Sequence, residues 1–73
     1  MAIMSRLAAR AIPPARLARA IRISAGASQA EVARELGVHR TTVARWESGR
    51  RHPRAGTAAA YLALLRELEG SLR

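Results

Sequence analysis

The stretch QAEVARELGVHRTTVARW, residues 29–46, decides how this chain folds. Small or apolar residues fall at Val32, Ala33, Leu36, Val38, Val43 and Trp46, with Gly37 between the two groups. Val32, Ala33 and Leu36 share one face of a helix, and Val43 and Trp46 share one face of another. This is the pattern of two helices that cross steeply, joined by a tight turn. The turn wants a positive φ, which Gly37 supplies without steric cost. Ala33 must be small because the second helix crosses close above it; a Leu there would overpack the contact and cost about 1–3 kcal/mol. The second helix leaves Arg40, Thr41, Ala44 and Arg45 outward, and offsets of one, four and five put them on one strip. That strip is short, cationic and hydrogen-bonding, and it suits the major groove of duplex DNA.

Outward from this stretch, a helix is expected over about Pro14 to Ala25. Its buried stripe is read as Leu17, Ala20, Ile21 and Ser24, at i, i+3, i+4 and i+7, with Arg16 and Arg19 pointing elsewhere. Pro13-Pro14 interrupts the chain before it, and Gly26 ends it. Ser28, with Glu31 three positions on, forms a capping box that starts the helix over Gln29–Leu36. The next helix spans about Arg40 to Ser48, and Gly49 closes it. Arg50, Arg51, His52, Pro53 and Arg54 then make a basic loop. A last helix runs from near Gly56 to Gly70, with an apolar face of Ala58, Tyr61, Leu62, Leu65 and Leu68. Arg66, Glu67, Glu69 and Arg73 are its solvated side. Residues 1–12 are an N-terminal extension or a short helix, with Ile3, Met4, Leu7, Ala8 and Ala11 at helical spacing; residues 13–73 are the domain proper. The fold class is all-α, with a core of Leu17, Ile21, Val32, Ala33, Leu36, Val38, Val43, Trp46, Tyr61, Leu62 and Leu65.

The net charge is +8, and all 13 basic residues are Arg, with no Lys and no Asp. Residues 1–30 carry five Arg and no acid; Glu31 is the first carboxylate. Arg in place of Lys, beside 17 Ala, fits the codon bias of a high-GC genome, or else the planar fork that matches phosphates and guanine edges; codon bias does not account for the net excess. That excess implies a polyanionic partner. There is no cysteine, so no disulfide or thiolate metal site, which fits a reducing cytoplasm. No apolar run approaches the ~20 residues of a membrane span, and Arg6 and Arg10 interrupt the apolar start, against a secretory signal. No cofactor, no metal and no catalytic set is expected: His39 and His52 lack ligand spacing, and no Ser/His/acid combination shares a plausible cleft. Seventy-three residues leave no room for a separate sensor domain, so no small-molecule effector is expected.

Glu47 is anomalous on local grounds, because an acid in a last helical turn opposes the helix dipole. Arg50 and Arg51 are its local candidates for a partner. His39 is a weak N-cap where Ser, Thr, Asp or Asn is usual; that helix end is either frayed or brings His39 to a phosphate.

The stretch IRISAGASQAEVARELGVHRTTVARWESGRRHP resembles the Cro/repressor-type, or XRE, helix-turn-helix family. The resemblance covers about residues 15–68. It rests on Arg22, Ser28-Gln29, Val32-Ala33, Leu36-Gly37-Val38, Val43, Trp46-Glu47, and Gly49-Arg50 with Pro53. It implies a compact four- to five-helix bundle of the lambda-repressor-like kind, with the third helix of the domain in the major groove. It also implies a partly buried Arg22–Glu47 pair and a phosphate-holding role for Gln29. Arg40, Thr41, Ala44 and Arg45 are then the candidate base readers, although the two Arg could serve phosphates alone. Gln29, His39, Thr42, Ser48, Arg50, Arg51 and Arg54 are the candidate phosphate contacts, with a merely solvated cationic loop as the alternative.

The expected function is a sequence-specific, double-stranded DNA-binding transcriptional regulator. Size and resemblance point to a small Cro-like repressor of a phage or mobile element, in the cytoplasm of a bacterial or phage-infected cell. A homodimer, at least on DNA, is expected, through exposed Leu64, Leu68 or Leu72, or secondarily through Met1–Ile12. Two other readings stay open. One is an antitoxin-like or phage protein that binds another protein as well as DNA. The other is a non-specific nucleic-acid or membrane-surface binder, for which residues 1–23 would suit.

Overall fold

The computed structural model describes residues 2–72, with side chains for all of these except residues 2, 4 and 5. The apolar position expected at Met4, Met1 of the second pairing surface, and the solvated Arg73 lie outside the described side chains. Within the described residues five helices follow one another: α1 (Ala2–Ala11), α2 (Ala15–Ser24), α3 (Gln29–Leu36), α4 (Arg40–Glu47) and α5 (Ala55–Gly70). No strand occurs among them.

Local chemistry sets the boundaries. Pro14, at φ −52° and ψ 152°, stands before α2 in the extended conformation that a cap requires. Ser28 accepts the Glu31 N–H at 3.0 Å while its own N–H donates to Glu31 Oε1 at 2.8 Å, so the capping box at α3 is complete. Gly37 adopts φ +69°, and the reversed chain lets the Val38 N–H reach the Ala33 carbonyl at 3.0 Å. That bond closes the α3–α4 turn. His39 precedes α4 in extended backbone with no side-chain capping bond.

The core comprises Ala18, Ile21, Val32, Ala33, Val43, Trp46, Ala58, Tyr61, Leu62 and Leu65. Val43 is wholly buried, and the Trp46 and Tyr61 rings lie 4.7 Å apart, tilted by 43°. Rings at that distance and tilt add to what burial alone contributes. Leu36 and Val38 are half-buried against this cluster.

The inward face of α2 differs from the expected one. Leu17 is 50% exposed, and Ala20 and Ser24 are exposed as well. The buried residues are Ala18, Ile21 and Arg22. The helix is turned so that Arg22, not Leu17, points inward, and a small Ala fills the position one turn before it. The free surface expected on the last helix is also smaller than the spacing implies. Leu64 and Leu68 are half-buried against the core, and only Leu72 is exposed. The reason is that α5 is packed by α1, α2 and α3 at once, most extensively by α1.

Candidate nucleic-acid interface

The inward side of α4 fixes its outward side. Val43, Trp46 and Glu47 are buried, so the positions between them face solvent. Thr41, Ala44 and Arg45 line one open cleft together with Ser48 and Arg50. The loop that carries Arg50 is tied to the same helix. The Arg45 carbonyl accepts the Ser48 hydroxyl at 3.1 Å, the Arg50 N–H at 3.0 Å and the Arg51 N–H at 3.2 Å. One carbonyl therefore holds a turn that projects two guanidinium groups beside the strip.

A second cleft gathers Thr42, Arg45, Arg51, His52, Arg54 and Thr57. It lies at the start of α5, where Arg54 makes no side-chain cap. The first N–H groups of a helix have no intrahelical acceptor, and with the helix dipole they favour an anion. Thr57 was not foreseen from the sequence; its signal is its place in that first turn.

Arg40 belongs to a third cleft, with Arg19, Ser28, Gln29 and Ala30. Arg19 also escaped the sequence reading, although it stands three residues before Arg22 and so one turn along the same face. Gln29 has both ends of its amide engaged. It accepts from Arg40 Nη1 at 3.3 Å and donates from Nε2 to Glu47 Oε1 at 3.1 Å. What it offers an anion is its backbone at the start of α3.

Beneath these clefts lies an ion pair. Arg22 donates from Nε to Glu47 Oε2 at 2.6 Å and from Nη2 to Oε1 at 2.8 Å, with both residues buried. Its Nη1 donates to the Ala27 carbonyl at 2.9 Å. The hydrogen bond to Glu47 raises the Arg22 pKa further, against the effect of burial. No carboxylate lines any of the three clefts among the described residues. The Glu47 carboxylate beneath Gln29 is thus neutralised internally by Arg22.

A helix-turn-helix family model matches residues 19–69. The chain belongs to the Cro/XRE-type helix-turn-helix family. Its members are DNA-binding regulators, and this helix-turn-helix protein presents α3 and α4 as the two helices of the motif. The comparisons with curated proteins and with solved structures gave no match. No helix among the described residues is long and apolar enough to cross a membrane.

Proposed function

We propose that this helix-turn-helix protein is a sequence-specific transcriptional regulator, a small Cro-like repressor of a phage or mobile element acting in the cytoplasm of its host cell. It lays α4 in the major groove of duplex DNA. The observation that carries this reading is the strip of Thr41, Ala44 and Arg45 on one open cleft, backed by buried Val43 and Trp46 and flanked on both sides by carboxylate-free cationic clefts. Arg45 can pair with guanine N7 and O6, and Thr41 and Ala44 can meet a base edge or a thymine methyl. Arg40, steadied by Gln29, reads a base at the edge of the strip.

Phosphates are held at the two flanks. At one stand the α3 N-terminus at Gln29, and Arg19. At the other stand Thr42, Arg51, Arg54 and Thr57. His39, Ser48 and Arg50 complete the backbone contacts. Such contacts fix register and carry no sequence information themselves.

So small a module has a small footprint, which favours a homodimer on a two-fold operator with recognition helices about 34–36 Å apart. Among the described residues, Ile3, Leu7 and Leu72 are the large apolar side chains left exposed on the two candidate pairing surfaces.

The deciding experiment is selection of bound sites from a random duplex pool. A consensus that outcompetes bulk DNA by about 10³ or more is expected, and its symmetry reports the dimer. Affinity falls with salt at a log–log slope of about −0.9 per phosphate neutralised. Enrichment of no sequence at all would leave only a non-specific binder.

A further inference from the structure

One cavity in the fold lies apart from the strip of Thr41, Ala44 and Arg45. It measures about 400 Å³ and lies where the end of α1, the Pro13–Pro14 corner, the start of α2 and the loop after α4 meet. Its floor is Ala18, Trp46 and Tyr61, all buried; the last two are the chain's single Trp and single Tyr, and it has no Phe. Its rim carries Arg10, Arg51 and His52, all exposed. No carboxylate lines it among the described residues.

We infer that this cavity binds a small organic anion with a flat apolar body, of the aryl carboxylate class, and that its occupant opposes DNA binding. Size permits it. An apolar cavity of about 150 Å³ already takes benzene, and ligand sites run to about 300–1,000 Å³. Chemistry selects the class. An apolar floor gives a bare phosphate nothing, and a cationic rim repels an amine. A ring system with one carboxylate satisfies both surfaces.

The coupling follows from shared residues. Arg51 and His52 line both this cavity and the cationic cleft at the start of α5. A guanidinium turned toward a carboxylate in the cavity is withdrawn from a DNA phosphate. DNA must then weaken the anion by the same factor as the anion weakens DNA. This second half rests on the proposed DNA-binding function; the site itself does not.

The test titrates the full chain with 1-naphthoate and, in parallel, with uncharged 1-naphthalenemethanol at pH 8. The readout is the NMR signal of the single Trp indole N–H and of the Ala15 and Ala18 methyls. A saturable shift is expected, with the uncharged probe about fivefold weaker. Arg10→Ala, which lies in none of the DNA clefts, weakens 1-naphthoate about threefold and leaves DNA affinity unchanged. Ala15→Leu fills the cavity and removes the shift while far-UV circular dichroism is retained. Bound 1-naphthoate lowers DNA affinity. Absence of a saturable shift, equal affinity for both probes, or Trp46 shifts that track protein concentration because a second copy covers the cavity would each overturn the site. Saturation by 1-naphthoate with unchanged DNA affinity overturns the coupling alone. If the unliganded protein selects no sequence, the DNA reading fails while the NMR titration still judges the site.

Discussion

Arg22 and Glu47, 25 residues apart, share two hydrogen bonds, at 2.6 Å and 2.8 Å, inside the protein. The pair fixes α2 against α4 and offsets the unfavourable place of Glu47 in a last helical turn. Gln29 adds a third donor to the same carboxylate. Arg22→Ala leaves a buried charge with that single neutral donor and is expected to cost about 3–5 kcal/mol. Against a total of a few to about 10 kcal/mol at this size, much of the protein unfolds at working temperature. Replacing both partners together, as Arg22→Met with Glu47→Leu, costs much less. Urea melts of the single and double variants measure this, and equal losses would show that the stranded charge is not the cause.

The Tyr61 hydroxyl is buried with no hydrogen-bond partner. An unsatisfied buried polar group costs about 1–3 kcal/mol. Tyr61→Phe is therefore expected to raise stability, by about 4–8 °C in Tm for each kcal/mol. A fall in Tm would show that the hydroxyl bonds to a neighbour. Burial, with the Glu47 charge added and Arg22 opposing, pushes the Tyr61 pKa up from 10.0 to about 12. The folded state holds this proton more tightly than the unfolded chain, so the stabilisation is complete below pH 10 and vanishes as pH rises toward 12. Absorbance of the single Tyr, at the tyrosinate wavelength, should stay flat well past pH 10.

Ser28 and Glu31 predict an acid limb as well. The Ser28 N–H, and then its side chain, hold the Glu31 carboxyl below its ordinary 4.5. The unfolded chain takes up this proton first as pH falls. The stabilisation is thus present above the ordinary carboxylate range and is lost as pH drops through the lowered value. Glu31→Ala should flatten that part of the stability–pH curve as pH falls through and below the ordinary carboxylate range. Ser28→Ala should cost about 1 kcal/mol near neutral pH. An acid limb unchanged in Glu31→Ala would place its origin in another carboxylate.

The motif was the legible part of this chain, because each of its positions has a local reason. Ser28 and Glu31 cap α3, Gly37 takes the reversed turn, and Val43 and Trp46 share a face. The inward stripe of α2 was misread because apolar spacing ranks Leu17 above Ala18. Leu17 and Arg22 stand about 140° apart on a helix, so both cannot face the core. The resemblance that pairs Arg22 with Glu47 already demanded the stripe of Ala18, Ile21 and Arg22. Nothing local in residues 2–11 says that α1 lies against α5, since that contact is wholly tertiary. Arg19 and Thr57 were legible in principle, one by its spacing from Arg22 and the other by its place in a first turn. The two clefts they separately line exist only once the helices are packed.

Gln29 links the buried pair to the candidate reading surface, since it donates to Glu47 and accepts from Arg40. An arginine held in place loses less freedom on meeting a base than one that is free to swing. Gln29→Leu keeps the bulk but cuts both bonds, so it should weaken binding to a selected operator and relax preference at the base pair that Arg40 meets. Arg40→Ala should relax that same base pair. The combined variant should lose little more than Arg40→Ala alone, because Gln29 acts through Arg40 and neighbours in one network are not additive. Arg54→Ala, by contrast, should weaken every sequence alike and shrink the salt slope by about one unit. Affinities of these four variants, measured on the operator and on single-base substitutions of it, separate the two kinds of role. Fully additive losses for Gln29 and Arg40 would falsify the link, leaving Gln29 to a phosphate and Arg40 to act alone.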